Sequence, residues 1–322
     1  MIRKIFLTFC FLPFAFFAGC GGDSDTETKT EIKGRIGMTC MDLTNPFFKL
    51  IANIMEEEAA KYGYELTALS GELDPAKQNS QLSDFAAQGY DAIFLNPVDS
   101  KSAGQGVKNA HAAGIPVFTF DVQVNDEEAK DMVVSHIGSD NFQGGVLAGE
   151  SMMEALGNKG KVAVVSLPEV TSCILRVDGF KEALKKANSP IEIVTELSGK
   201  GSRDGGYAVM TDILQAHPDI TGIFAINDPS ALGAHAAVTK AGKGDEITVV
   251  AFDASPAGKQ AVFEKKLYDT PQQFPRKMAI GTVKAFSDYL AGKEVEKKIL
   301  IPCSHYKYAD SVDDESRINE QW

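Results

Sequence analysis

Short apolar runs of four to seven residues recur through almost the whole chain and alternate with longer helical segments. The strand candidates are Arg35–Cys40, Tyr64–Leu69, Ala92–Leu95, Val117–Phe120, Val133–Ile137, Val162–Ser166, Ile191–Leu197, Ile223–Ile226 and Thr248–Phe252. The helices between them are clearly punctuated. Asp74-Pro75 offers an N-cap followed by proline at the first helical position, and Gly89 and Gly114 follow their helices as C-caps. Strands that alternate with helices in this way build βαβ units and parallel sheets, so the chain is α/β. Nine such units exceed what one open sheet usually holds, and 322 residues is about twice an ordinary domain. Two Rossmann-like lobes, each with a sheet of five or six strands, are therefore expected. The chain should cross between them at Val133–Asn141 and again where YDTPQQFP breaks the rhythm near Asp269–Pro275.

The N-terminus follows a different rule. Arg3 and Lys4 precede an apolar run, Ile5–Ala18, that ends on Phe17-Ala18-Gly19-Cys20, the pattern of a secretory signal, residues 1–19. The run is shorter than the roughly 20 residues that span a bilayer. FAGC resembles the bacterial lipobox, with Phe17 where leucine is usual. That resemblance implies that Cys20 is acylated and anchors the protein to a membrane; an ordinary cleaved signal with an incidental cysteine is the alternative. Residues 20–32 are polar, acidic and without periodicity, a flexible leash. Of the cysteines beyond Cys20, Cys40, Cys173 and Cys303 are far apart without CxxC spacing and read as buried thiols, although one disulfide is possible. The net charge of −12 comes without a basic stripe, which argues against nucleic acid as a partner.

Four apolar strands end on a short carboxylate or amide: AIFL on Asn96, VFTF on Asp121, IFAI on Asn227 and VVAF on Asp253. Each alone could stop a strand and cap the next helix. In open α/β sheets, however, ligands bind beyond the carboxyl ends of the strands, and four such residues together point to one polar site there. TNPFF adds Asn45 beside Phe47 and Phe48 at a helix start. Adjacent helical residues diverge by about 100°, so at least one ring is expected to line the crevice. An aromatic face ringed by carboxylates and amides suits a sugar, which has an apolar C–H face and a rim of hydroxyls.

In order and spacing, TNPFF, IFLNPVDS, PVFTFD, VVSHIGSDN, RVDGF, AHPDITGIFAINDPSALGA and VVAFDASP resemble the ribose-type periplasmic sugar-binding proteins of bacterial ABC transporters, over roughly residues 33–300. The resemblance implies a periplasmic binding protein type I fold with a three-segment hinge, the third crossing falling near Pro302–His305. One lobe would comprise residues 33–138 and 274–303, the other 139–273 and 304–322. It further implies ligand contacts from Asn45, Phe47, Phe48, Asn96 and Asp121 in the first lobe and from Arg176, Asn227, Phe252 and Asp253 in the second, with Gln273 at a crossing. The partners it implies are a sugar and a transporter permease, the protein itself acting as a periplasmic or cell-surface monomer without a cofactor. Two positions depart from the ribose pattern: its Asp-Arg pair is Asp121-Val122 here, and the aromatic of the second lobe falls at Gly201. Ribose specificity therefore does not follow.

Other functions find less in the residues. GKGSRDGG, Gly199–Gly206, has neither the GK[ST] nor the GxGxxG spacing of a nucleotide loop. The five histidines show no close ligand pair, so no metal site is expected, and His136 sits in a strand-like run. Asp121 and Asp253 could serve a glycoside-acting enzyme, but as strand-end acceptors they suit hydroxyls better. A repressor of the same fold would need a DNA-binding headpiece where this chain has a signal and leash. A sugar or autoinducer sensor coupled to a membrane receptor would use the same site and stays open.

Overall fold

A computed structural model describes residues 32–315; the signal segment, Cys20, the leash up to residue 31 and residues 316–322 lie outside the described residues. From the N-terminal side run β1 (Gly34–Cys40), α1 (Pro46–Lys61), β2 (Tyr64–Ser70), α2 (Pro75–Ala87), β3 (Ala92–Leu95), α3 (Gly104–Ala112), β4 (Val117–Phe120) and β5 (Val133–Ser139). There follow α4 (Asn141–Ala155), β6 (Lys161–Ser166), α5 (Thr171–Lys186), β7 (Glu192–Ser198), α6 (Arg203–Ala216), β8 (Gly222–Ala225), α7 (Asp228–Lys240) and β9 (Thr248–Val250). The last elements are α8 (Pro256–Phe263), α9 (Pro275–Leu290), β10 (Lys298–Ile301) and α10 (Tyr308–Ser311).

Two parallel sheets result, one of six strands in the order β10-β5-β4-β3-β1-β2 and one of four in the order β7-β6-β8-β9. The central strands read as unbroken apolar runs because both of their faces are covered. In β3, Ala92 and Phe94 face the cluster under α1 and α9, while Ile93 and Leu95 face α2 and α3. In β6, Val162 and Val164 face α4 and α5, while Ala163 and Val165 face α6 and α7. Successive side chains on a strand point to opposite faces, so such a strand is apolar at nearly every position, with buried exceptions such as Thr119, whose Oγ1 bonds to His136 Nδ1 at 3.0 Å.

All nine expected strands are present, and the first sheet reaches six by gaining β10, a half-exposed edge strand that follows the charged run 293–297; the second falls short of the five or six expected. The second stops at four because β9 ends at Val250, and only isolated parallel bridges, Val250 to Asp269 and Asp253 to Gln272, continue it. The chain leaves the first sheet after β5, through Asp140, which caps α4 with a hydrogen bond from Gln143 N. It returns through 269–274 into α9, which packs on α1, β4 and β5, and passes back through 302–307. The three passages bond to one another: Ser139 Oγ donates to Gln273 Oε1 at 2.9 Å, and Gln272 N to the Ser304 carbonyl at 2.7 Å. Asp269, wholly buried, accepts from Ser151 Oγ at 2.5 Å and from Tyr306 N at 2.9 Å, tying α4 to the second and third passages.

The tightest packing in the second half is between α4 and α5. A β-carbon at Gly145 would collide with the Arg176 carbonyl, and one at Gly179 with the Phe142 carbonyl, so both glycines permit backbone-to-backbone approach. Gly145→Ala is expected to lower stability to urea by about 1–3 kcal/mol through overpacking, with the unfolding transition remaining cooperative.

Candidate functional site

The carboxyl ends of the two sheets bring the strand-end residues together. Asp121 follows β4 and adopts φ +58, and Asp253 follows β9 with φ +115. Both are outside the regions that side-chain-bearing residues ordinarily occupy, a strain concentrated at functional positions. The Asp121 backbone is held there by its N–H donating to the Ile137 carbonyl at 2.9 Å. Its carboxylate Oδ2 accepts from Asn96 Nδ2 at 3.0 Å, and Oδ1 makes no hydrogen bond within the described residues.

From the opposite sheet comes Arg176, on α5 and buried. Its Nε donates to Asn141 Oδ1 at 2.8 Å, and Nη1 to the Ile226 carbonyl at 2.8 Å and to Asp253 Oδ1 at 3.2 Å. The guanidinium carbon lies over the Phe252 ring, 3.9 Å from its centroid. Nη2 makes no hydrogen bond within the described residues, which leaves two donors for the cleft. Gln273 Nε2 donates to Asp253 Oδ1 at 2.7 Å, while its Oε1 accepts from Ser139.

Burial drives the electrostatics. It pushes the Asp121 carboxyl up to about 6, with the Asp253 charge adding to the shift and Arg176 and the Asn96 hydrogen bond opposing it. Burial also raises Asp253, against the pull of Arg176. Asp228, wholly buried behind Asp253, is pushed up to about 8, first by burial and then by the Asp253 charge. Asp228 accepts from Ser255 N and Oγ, each at 2.7 Å, and from Thr270 Oγ1 at 2.6 Å. Asp253 and Asp121 thus face the one guanidinium, and Asp228 stands beyond Asp253.

The remaining expected residues divide by what they touch. Asn45 caps α1, accepting from Phe47 N at 3.0 Å with its Nδ2 unused, and Asn227 caps α7 while donating to the Gly201 carbonyl at 2.9 Å. Asn96 is wholly buried: its oxygen accepts from Met41 N, and its amide hydrogens go to Asp121 and the Phe120 carbonyl. Phe252 is also wholly buried, beneath Arg176. Asn96 touches Asp121, and Phe252 touches Arg176. Phe47 and Phe48 meet edge to face at 5.2 Å and both join the apolar cluster of the first sheet, so the angle between adjacent helical residues does not by itself turn one of them outward. Asn141 closes the run expected to cross between lobes and Asp228 directly follows the strand-end Asn227, so neither stands out in the sequence. Cys40, Cys173 and Cys303 border the cluster as buried free thiols, which burial pushes up to about 12, 11 and 11. Among the described residues no cluster of ligands could hold a metal.

Two parallel α/β sheets linked by three chain passages, with a buried polar cluster at their facing strand ends, define a bilobal binding protein. The chain belongs to the periplasmic binding protein domain family, whose sequence profile matches residues 36–294. The ribose import binding protein of Escherichia coli (strain K12) is 36% identical over 267 residues, 83% of this chain and 88% of its own. Solved structures agree with the fold. An ABC transporter periplasmic solute-binding protein from Actinobacillus succinogenes with bound D-allose has TM-score 0.80 at 28% identity, covering 88% of this chain and all of its own. A solute-binding protein from Bacillus halodurans with bound myo-inositol has TM-score 0.81 at 28% identity, covering 90% and 99%.

The raised Asp121 carboxyl has a sign that can be checked. Held protonated to higher pH than the unfolded group at 3.8, it contributes stability that is complete below that value and is lost as pH rises through about 6. Asp121→Asn is therefore expected to flatten the fall in ligand-free stability across this window, by about 2 kcal/mol between pH 4.5 and 7.5 in urea titrations.

Proposed function

We propose that the chain captures a monosaccharide or related polyol between two lobes and delivers it to the permease of an ABC transporter, without catalysing a reaction. The observation that carries this reading is the meeting of Asp121 from one sheet with Arg176 and Asp253 from the other in a buried volume. Unused donors on Asn45, Asn227 and Arg176 and the free Asp121 Oδ1 match a ring bearing hydroxyls all round. The solutes named for the relatives, ribose, D-allose and myo-inositol, are all of that chemistry.

In this reading the lobes are residues 33–138 with 274–303 and residues 139–273 with 304–322. Asn45, Phe47, Phe48, Asp121, Arg176, Asn227 and Asp253 contact the ligand, and Asn96, Phe252 and Gln273 set their positions. A sugar that bridges the lobes binds the closed form better than the open one, and that difference drives closure. The permease then recognises the closed form. Family membership supports an extracytoplasmic location. The FAGC segment supports a signal peptide and a lipid anchor at Cys20, with the leash spacing a monomeric binding domain from the membrane.

Asp121→Ala and Asp253→Ala are each expected to weaken binding by roughly 10- to 100-fold, the loss of a hydrogen bond to a charged group. Calorimetry with D-ribose, D-allose and myo-inositol checks this; unchanged affinity in both variants overturns the site. For the anchor, Cys20→Ser is expected to abolish acylation and release the protein from membranes, read by mass spectrometry of the membrane fraction.

A further inference from the structure

α5 carries Arg176, yet it starts without a cap of its own. Its N-cap residue is Val170, whose side chain has no acceptor, whereas α1, α2, α4, α6, α7 and α8 are each capped by their own Asn, Asp or Ser. The missing acceptor comes from the other sheet. Thr171 N, the first amide of α5, donates to Ser100 Oγ at 3.0 Å, and Ser100 N donates to the Glu169 carbonyl at 3.3 Å. Ser100 lies between β3 and α3, only 4% exposed, and is itself fixed by Asn125 N donating to its carbonyl at 2.7 Å. β3 is two strands away from β5, where the chain leaves the first sheet, so this contact is well removed from the passages. Around it, Val122 and Met41 from the first half pack into the apolar cluster of α5 with Val170, Cys173 and Leu167.

We propose that Ser100 is a positioning residue for ligand binding: it caps α5 across the cleft, so that the start of the helix bearing Arg176 is completed only when the lobes are closed. A helix start leaves its first amides without intrahelical partners, and opening hands the Thr171 amide to water. Closure therefore gains a cap, two backbone-linked bonds and buried apolar surface at one point, and Arg176 reaches the ligand from a helix anchored to both lobes. The dissociation-rate readout below rests on the sugar-binding reading; the exchange readout does not.

Amide exchange of the intact protein, with and without saturating D-ribose, D-allose or myo-inositol, tests the cap. Ser100→Ala is expected to speed exchange about 5-fold at 169–173, the effect of losing an N-cap, while Ser100→Thr restores protection. Dissociation of whichever sugar binds should quicken by the same factor with association within 2-fold. Thr171→Pro removes the donor at a position that tolerates proline, after a residue already extended at φ −122 and ψ 118, and should quicken dissociation without adding to Ser100→Ala. Exchange at 169–173 unchanged by Ser100→Ala in every condition, or raised equally throughout α5 and 96–103, overturns the proposal. Binding of none of the three sugars by the wild type counts against the sugar reading alone, and exchange then decides the cap.

Discussion

The guanidinium of Arg176 is the fixed point of the molecule's polar centre. It is buried, lies over Phe252, and is bonded to Asn141, the Ile226 carbonyl and Asp253. Its place depends on how closely α4 approaches α5, because Gly145 abuts the Arg176 carbonyl and Gly144 abuts the Phe252 ring. Against this one cation stand Asp253 on its own side and Asp121 opposite, with Asp228 acting on Asp253 from behind. A closed cleft without ligand confines like charges in a poorly hydrated volume, a cost that shows in the raised carboxyls. In the proposed reading, a polyol that donates hydroxyls to Asp121 and Asp253 together would offset that cost only when the halves meet, and would therefore prefer the closed state.

Much of the architecture was legible in the residues because parallel strands covered on both faces are apolar at nearly every position. β3 and β4 have the bounds their sequences suggest. β10 was not legible: Lys298–Ile301 is a half-exposed edge whose pairing with β5 depends on a strand far away in sequence. In the site, the rule that apolar strands end on Asn or Asp located the right volume, but could not tell what each residue does there. Asn96 and Asp121 look alike in sequence, yet one has every donor and acceptor engaged inside the protein and the other keeps an oxygen free. The left-handed backbone of Asp121 and Asp253 leaves no mark in composition, and the bond between residues 100 and 171 has no local signature.

Val122 alters more than one donor. Where the ribose-type pattern has arginine, this side chain is 1% exposed and lies in the apolar cluster of the second sheet with Cys173 and Val170. A charged residue there would have to be desolvated among hydrocarbon without a built partner. The edge of the cleft beside Asp121 is thus apolar contact between halves, and any ligand must find its donors and acceptors elsewhere. Gly201, at φ +62, presents its carbonyl to Asn227 and no ring. The binding centre keeps its acceptors and one guanidinium while its margins have become aliphatic.

The interleaved path of the chain also fixes an order of assembly. The apolar face of the first sheet formed by Ile36, Met38, Phe94 and Phe118 is covered in part by Met278, Val283 and Phe286 of α9, and its edge strand β10 comes later still. A chain emerging residue by residue from the ribosome has made all of the second sheet before the first can be closed. The N-terminal half therefore remains without its lid until nearly the whole polypeptide exists.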